Sequence, residues 1–173
     1  MALSKETLIP YWPKNMFDTV VEKTSASTGT ALVAHAFTPG TLVVEISGKI
    51  VACDTDTASH KTLPAYMVWT DGSTRQDILE YELDGTVVEQ YTCLAGKVKV
   101  DLHADLFTAT PAVGDIITKS ATAGKLDPLS LSEYVTLLGT SAGNDILVVG
   151  RVEGAGRKKG LSASFWNCSL DLG

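Results

Sequence analysis

The chain's sharpest match to a catalytic motif is the GxSxG string of residues 139–143, in which Ser141 would be the nucleophile. In an α/β-hydrolase this string turns from a strand into a helix, and the acid and the histidine follow later in the chain. Here all three histidines precede Ser141, and residues 144–149 have the apolar, β-branched character of a strand. Because the chain order and the following element both differ, we interpret the string as a glycine-rich hairpin loop.

A second candidate is the polar segment CDTDTASHK, where His60 follows Cys53, Asp54 and Asp56. A cysteine nucleophile needs a histidine within hydrogen-bond distance to take the thiol proton. The spacing does not by itself bring the two side chains together, and no neighbouring residues supply an oxyanion hole. We predict a solvated loop here. The sequence as a whole predicts no catalytic residue, and therefore a protein that is not an enzyme.

The same segment begins like a calcium-binding loop, because Asp54 and Asp56 alternate as the first ligands of an EF-hand do. That loop then requires an oxygen ligand, a glycine and a glutamate where this chain has Ala58, Ser59 and Ala65. The three cysteines form no CxxC pair and are predicted to be reduced thiols: Cys53, Cys93 and Cys168. The sequence predicts neither a metal site nor a cofactor, while a weak calcium site of another kind stays open.

The charge balance argues against a nucleic-acid partner. The 173 residues carry 14 Lys and Arg against 20 Asp and Glu, a net charge of −6, whereas nucleic-acid binding needs a dense basic face. The basic cluster at residues 157–159 is bounded by glycines and is typical of a solvated hairpin tip. No apolar run is long enough to span a bilayer, and the first 30 residues lack the apolar core of a signal peptide. We expect no nucleic-acid partner, no membrane and synthesis in a host cytoplasm.

Short β-branched runs separated by turn residues dominate the chain after residue 30. Asp84-Gly85 and Ser47-Gly48 are two-residue hairpin signals, and Pro39-Gly40 and Asp71-Gly72 mark further turns. The predicted strands cover residues 31–37, 41–47, 49–53, 64–70, 77–83, 86–93, 97–103, 115–120, 133–139, 146–153 and 162–168. Short strands with no intervening helix predict an all-β fold, a compact antiparallel β-barrel or sandwich.

The run at residues 97–103 alternates valine or leucine with charged residues and histidine. Because successive side chains of a strand point to opposite faces, this alternation predicts a half-buried antiparallel strand. Asp101 and His103 are expected on its polar face.

Residues 1–30 differ from the rest and predict an extended N-terminal arm. A β-barrel domain follows over residues 31–173, in which residues 156–173 form an added strand or a tail. Pro10 and Pro13 remove backbone donors and exclude a helix or a central strand. Since the arm is not expected to pair with the chain's own sheet, its large apolar residues should be buried on a partner. These residues are Leu8, Ile9, Tyr11, Trp12, Met16 and Phe17. The alternative is an arm folded over its own barrel.

Four segments follow one another as GTLVVEISGKIVACD, PAYMVWTDGSTRQD, PAVGDIITKSATAGKLDP and ILVVGRVEG. In this order they resemble the small β-barrel decoration, or cement, proteins of tailed-phage heads. The most specific parts are the turn motifs Val113-Gly114-Asp115 and Gly124-Lys125-Leu126-Asp127-Pro128. The resemblance covers residues 31–155, so it includes neither the PYWP part of the arm nor the C-terminal segment.

The resemblance implies a non-enzymatic virion protein on the outer capsid surface. Such a protein clamps neighbouring subunits of the major capsid protein, often as a homotrimer, and uses an N-terminal arm to reach a neighbour. Two other functions stay open. One is another virion module, in a tail tube or a fibre attachment. The other is a carbohydrate-binding or adhesin module that uses Tyr66, Trp69 and Trp166.

Overall fold

The β-branched runs of the sequence form strands in two antiparallel sheets, one of them curled like half a barrel, so the all-β prediction is confirmed. The computed structural model describes residues 8–11, 20–24, 37–69, 80–81, 87–88, 90–140, 147–156 and 165–172. In chain order the elements are β1 (Leu8–Tyr11), β2 (Val20–Thr24), β3 (Leu42–Ile46), β4 (Lys49–Ala52), α1 (Ala58–Thr62), β5 (Ala65–Val68), β6 (Glu80–Tyr81), β7 (Val87–Val88), β8 (Gln90–Leu94), β9 (Gly96–His103), β10 (Ile116–Lys119), β11 (Leu126–Leu129), α2 (Leu131–Thr140), β12 (Val148–Ala155) and β13 (Phe165–Leu172).

The first sheet has the strand order β1-β9-β13-β12-β10-β11, and the second has the order β2-β8-β5-β3-β4. Their facing sides enclose one apolar core, to which the second sheet contributes Leu42 and Met67 and the first contributes Val100 and Ile117. A smaller cluster around Tyr91 includes Val43, Ile50 and Phe37. Since neighbours along β3 belong to different clusters, the second sheet is buried on both faces at that strand.

The Ser47-Gly48 turn joins β3 to β4 as the sequence predicts. Ile46 pairs with Lys49, and the two residues between them have φ angles of 51° and 78°. Positive φ at both central positions is the conformation whose twist matches a two-residue hairpin. β6 pairs with β7, and Tyr81 lies opposite Val87. The predicted Asp84-Gly85 turn falls between these two residues, outside the described part of the chain.

The N-terminal arm differs from its prediction. Leu8–Tyr11 pairs antiparallel with β9, with Pro10 opposite Val100, and β2 pairs with β8. Both strands lie at an end of their sheet, where a proline's missing N–H is tolerated. The expectation that this segment does not pair with the chain's own sheet is therefore wrong for β1.

The predicted strand at residues 133–139 is also wrong, because this segment belongs to α2. Ser130 and Glu133 form a capping box. The Ser130 backbone N–H donates to Glu133 Oε2 at 2.8 Å, and the Glu133 N–H donates to Ser130 Oγ at 3.3 Å. Two of the backbone donors that a helix start leaves unpaired are satisfied in this way, which favours a helix over the β-branched alternative.

Other segments differ less from their predictions. The first predicted strand falls almost entirely outside the described residues, where only Phe37 can be placed. The structure adds β11, which the sequence treated as a turn, and the short helix α1. The predicted last strand begins and ends later than expected, so that β13 makes the C-terminal segment a strand of the first sheet. Neither described helix has the length and apolar character needed to cross a membrane.

Candidate functional site

His60 does not lie in a solvated loop as predicted. It is 6% exposed within α1, and its Nδ1 accepts the backbone N–H of Asp54 at 3.1 Å. Cys53 is fully buried, and burial raises the pKa of its thiol to about 11. A thiol in this state supplies little of the thiolate that acts as a nucleophile. The burial of Cys53 and the hydrogen bond of His60 are thus explained by the local fold of the segment, without a catalytic Cys–His pair.

Asp54 of the same segment forms a turn just before α1. Asp54 Oδ1 accepts the N–H of Asp56 at 2.8 Å, and Asp54 Oδ2 accepts the Thr57 hydroxyl at 3.4 Å. This is the turn chemistry expected of an aspartate just before a helix. The described part of the chain holds no group of three or more histidine, cysteine, aspartate or glutamate side chains placed to bind a metal ion.

Lys119 is a buried charged residue that could not be identified from the sequence. It is 3% exposed, and its Nζ donates to the carbonyls of His60, Lys61 and Leu63 at 2.9, 3.1 and 2.6 Å. These carbonyls lie at the end of α1, where a helix leaves acceptors unpaired. The buried ammonium thus fixes α1 against β10, and no local pattern signals a pair more than 55 residues apart.

The polar face of β9 is buried rather than solvated at its C-terminal end. Asp101 is 0% exposed and accepts the amide of Asn167 at 3.2 Å. His103 is 5% exposed, its Nδ1 accepts the N–H of Asp105 at 3.1 Å, and its ring packs edge-on against Phe165. The alternation of β9 was therefore predicted correctly, but the exposure of Asp101 and His103 was not.

The three aromatic residues of the carbohydrate alternative do not line an open face together. Trp69 and Trp166 are partly buried and pack against the core between the sheets. Tyr66 packs with the smaller cluster instead, and Lys23 Nζ lies 4.4 Å from its ring centroid. Lys23 also forms an ion pair with Glu45 at 2.5 Å. The structure thus divides Tyr66 from the two tryptophans.

An exposed apolar surface is formed by α2 and the groove beside it. Leu131, Val135 and Leu138 are 68%, 59% and 54% exposed, and no residue of α2 is buried. These three residues, spaced at i, i+4 and i+7, form one stripe, which we call the α2 ridge. The adjoining α2 groove has a volume of about 450 Å³ and is lined by Gly114, Ile116, Leu131, Tyr134, Val148, Gly150 and Arg151.

The α2 groove is backed by a close approach of two strands. A Cβ on Gly150 would lie 2.3 Å from the carbonyl oxygen of Ser169 and 3.0 Å from Leu170 Cα, both on β13. Only glycine fits there without backbone movement, which explains the glycine of the V-G-R-V segment. The same segment places Arg151 at the groove.

No match was found. Neither family models nor curated proteins nor solved structures resemble this chain at a significant level.

The predicted interface residues of the arm fall into two groups. Leu8, Ile9 and Tyr11 belong to β1 at the edge of the first sheet. Trp12, Met16 and Phe17 lie outside the described residues, on the stretch of chain between β1 and β2. Of the GxSxG string, Gly139 and Thr140 end α2, while Ser141 lies outside the described residues, as does the basic cluster at 157–159.

Proposed function

We propose that this chain is a non-enzymatic virion structural protein that decorates and stabilises a tailed-phage capsid. It binds across neighbouring subunits of the major capsid protein on the outer capsid surface, and its copies associate with one another, as a homotrimer. The observation that carries the proposal is the exposed α2 ridge on an acidic β-sandwich. A helix that presents an apolar stripe to solvent, as α2 does with Leu131, Val135 and Leu138, is typical of a protein that acts through contact area.

The placement of the quoted segments supports the same proposal. PAVGDIITKSATAGKLDP contains β10 and most of β11, which pair as a hairpin, and residues 148–154 of ILVVGRVEG lie in β12, which pairs with β10. The strands of these two segments are thus neighbours in the first sheet, one segment before and one after α2 in the chain. Cement proteins need repeated contacts rather than an active site, and modest contacts become stable when many copies act together.

The experiment is binding of the purified chain to expanded heads assembled from the major capsid protein of the same genome, without decoration protein. We expect saturable binding at a fixed stoichiometry, measured by co-sedimentation. The double variant Trp12→Ala/Phe17→Ala should weaken binding by about tenfold or more, because large aromatic residues dominate protein interfaces. It leaves β1 intact, unlike a deletion of the arm. Ile46→Ala, at an exposed apolar residue of β3, is the control.

Two outcomes would contradict the proposal. Absence of saturable binding would show that the capsid is not the partner. Unchanged affinity of the double variant would show that Trp12 and Phe17 do not contribute to the interface. Rings or tubes formed by the chain alone would favour the tail-tube alternative instead.

A further inference from the structure

We propose that the α2 groove is a binding site for a small amphipathic carboxylate, a molecule with one carboxylate and an apolar body. The apolar body lies between α2 and the first sheet, and the carboxylate pairs with the guanidinium of Arg151. This inference goes beyond the proposed function and does not depend on it. Its test needs neither capsid particles nor self-association, so its failure is distinguishable from failure of the proposed function.

The size and the lining of the α2 groove fit a small molecule. Its volume of about 450 Å³ lies within the range of small-molecule sites, roughly 300–1,000 Å³. Leu131 and Tyr134 line the groove from α2. Ile116 lines it from β10 and Val148 from β12. Small-molecule sites are lined mainly by apolar and aromatic side chains, with a few polar groups that orient the ligand. Arg151 is the charged side chain of this lining.

An irregularity in the first sheet brings Arg151 to the groove. Val149 and Val152 of β12 both belong to the core between the sheets, although successive residues of a regular strand alternate between its faces. The pairing of β12 with β10 skips Val149, which is therefore the extra residue of a β-bulge. The two residues between the valines, Gly150 and Arg151, are both left on the side of the groove. Bulges are over-represented next to active sites, where they redirect a side chain.

The guanidinium of Arg151 lies against another part of the groove lining. A Cβ on Gly114 would be 3.9 Å from Nη2 of Arg151, and Gly114 itself lines the groove. The N–H of Gly114 donates to the carbonyl of Val152 at 2.9 Å, which fixes this turn against β12. The positive charge is therefore at the groove, beside its apolar side chains.

The charge of Arg151 is available to a ligand. In the part of the chain that the structure describes, no ion pair includes this residue. Asp115 follows Gly114, but its Oδ2 accepts the N–H of Ala112 at 2.8 Å. One guanidinium matches the charge of a carboxylate more closely than that of a phosphate group, which is about −1.5 to −2 at pH 7. It also binds a carboxylate through two parallel hydrogen bonds.

The test is titration of the purified chain with octanoate, followed by amide chemical shifts in two-dimensional NMR spectra. We expect saturable shifts at residues 114–116, 131–134 and 148–151, with a dissociation constant on the order of 1 mM, as is typical of a ligand this small. Octylammonium is the matched control ligand, because it has the same apolar chain with the opposite charge. It should bind about tenfold more weakly or worse, since its charge repels that of Arg151.

Two variants test the two contacts separately. Arg151→Gln should raise the dissociation constant for octanoate by about tenfold or more, because the ion pair is lost. Val148→Thr replaces one methyl group at the groove by a hydroxyl and should raise it by about fourfold. Lys97→Gln and Ile46→Thr are the matched controls, since they make similar changes at exposed residues outside the groove lining and should leave binding unchanged.

Both groove residues are exposed, so their variants are expected to fold, and circular dichroism checks this. Three outcomes would overturn the proposal: no saturable shifts at the groove residues, equal binding of octylammonium and octanoate, or unchanged octanoate affinity in either groove variant.

Discussion

Single buried polar residues connect separate elements of this β-sandwich, and Lys119 is the clearest example. A buried ammonium costs several kcal/mol in lost hydration unless hydrogen bonds replace the water. Here three carbonyls at the end of α1 take the place of water around the ammonium. The same hydrogen bonds provide a donor for carbonyls that the end of the helix leaves unpaired. Cys53 lies close enough that the positive charge of Lys119 opposes the rise in its thiol pKa caused by burial.

We expect Lys119→Met to lower the free energy of unfolding by about 2 kcal/mol or more, because it leaves three carbonyl acceptors without their donor. Lys97→Met is the matched control. Lys97 lies on β9 with its side chain 85% exposed, 3.9 Å from Asp171, and exposed ion pairs of this kind contribute little. Urea unfolding followed by circular dichroism gives both values. Equal losses in the two variants would show that the carbonyl contacts of Lys119 do not stabilise the fold.

At the scale of elements, α2 shows how local sequence signals compete. Residues 133–139 contain a valine, a threonine and a tyrosine, which favour a strand. The capping box formed by Ser130 and Glu133 favours a helix instead, and the structure follows the capping box. A strand here would also need a sheet neighbour. The spacing of Leu131, Val135 and Leu138 could have revealed the helix, because it has the helical period.

We expect α2 to fray when the solution becomes acidic. Hydrogen bonds from the Ser130 side chain, and then from its backbone, lower the pKa of Glu133 below its usual value. A carboxyl whose pKa is lower in the folded state stabilises that state above its unfolded pKa of about 4.3. This contribution is lost as the pH falls through the folded pKa. Amide hydrogen exchange in residues 131–140, measured from neutral pH downward, should therefore show loss of protection below about pH 4.

Glu133→Gln is the matched control for this titration, because glutamine keeps capping capacity without a charge. In that variant the protection of α2 should no longer depend on pH in the same range. An identical loss of protection in both chains would show that another group is responsible.

At the scale of the whole molecule, the sequence predicts what depends on neighbours in the chain. The Ser47-Gly48 turn was predicted because two adjacent residues specify it, and the alternation of β9 predicted that strand. The sequence does not predict what lies beside β9. Asp101 is buried because β1 and β13 flank that strand, with Asn167 bonded to the carboxylate. The α2 groove likewise combines residues from β10, α2 and β12, which no local pattern brings together.

The pairing of β1 also changes what deletion of the arm should do. An arm that does not pair with its own sheet, as the sequence predicts, implies that removal of residues 2–17 leaves the barrel folded and abolishes partner binding. In the structure this deletion removes β1 and uncovers the side of β9 that pairs with it, from Lys99 to Leu102. Unpaired strand edges lose hydrogen bonds and promote association with other chains.

We therefore expect deletion of residues 2–17 to lower the Tm by about 5 °C or more, since the loss of a four-residue edge strand costs about 2 kcal/mol. Deletion of residues 2–7 is the matched control, because it shortens the chain and leaves β1 in place. Differential scanning calorimetry of the two deletions and the full chain measures the difference. If both deletions unfold at the temperature of the full chain, β1 contributes nothing to the stability of the sandwich. A fall confined to the longer deletion would instead assign the lost stability to residues 8–17, which include β1.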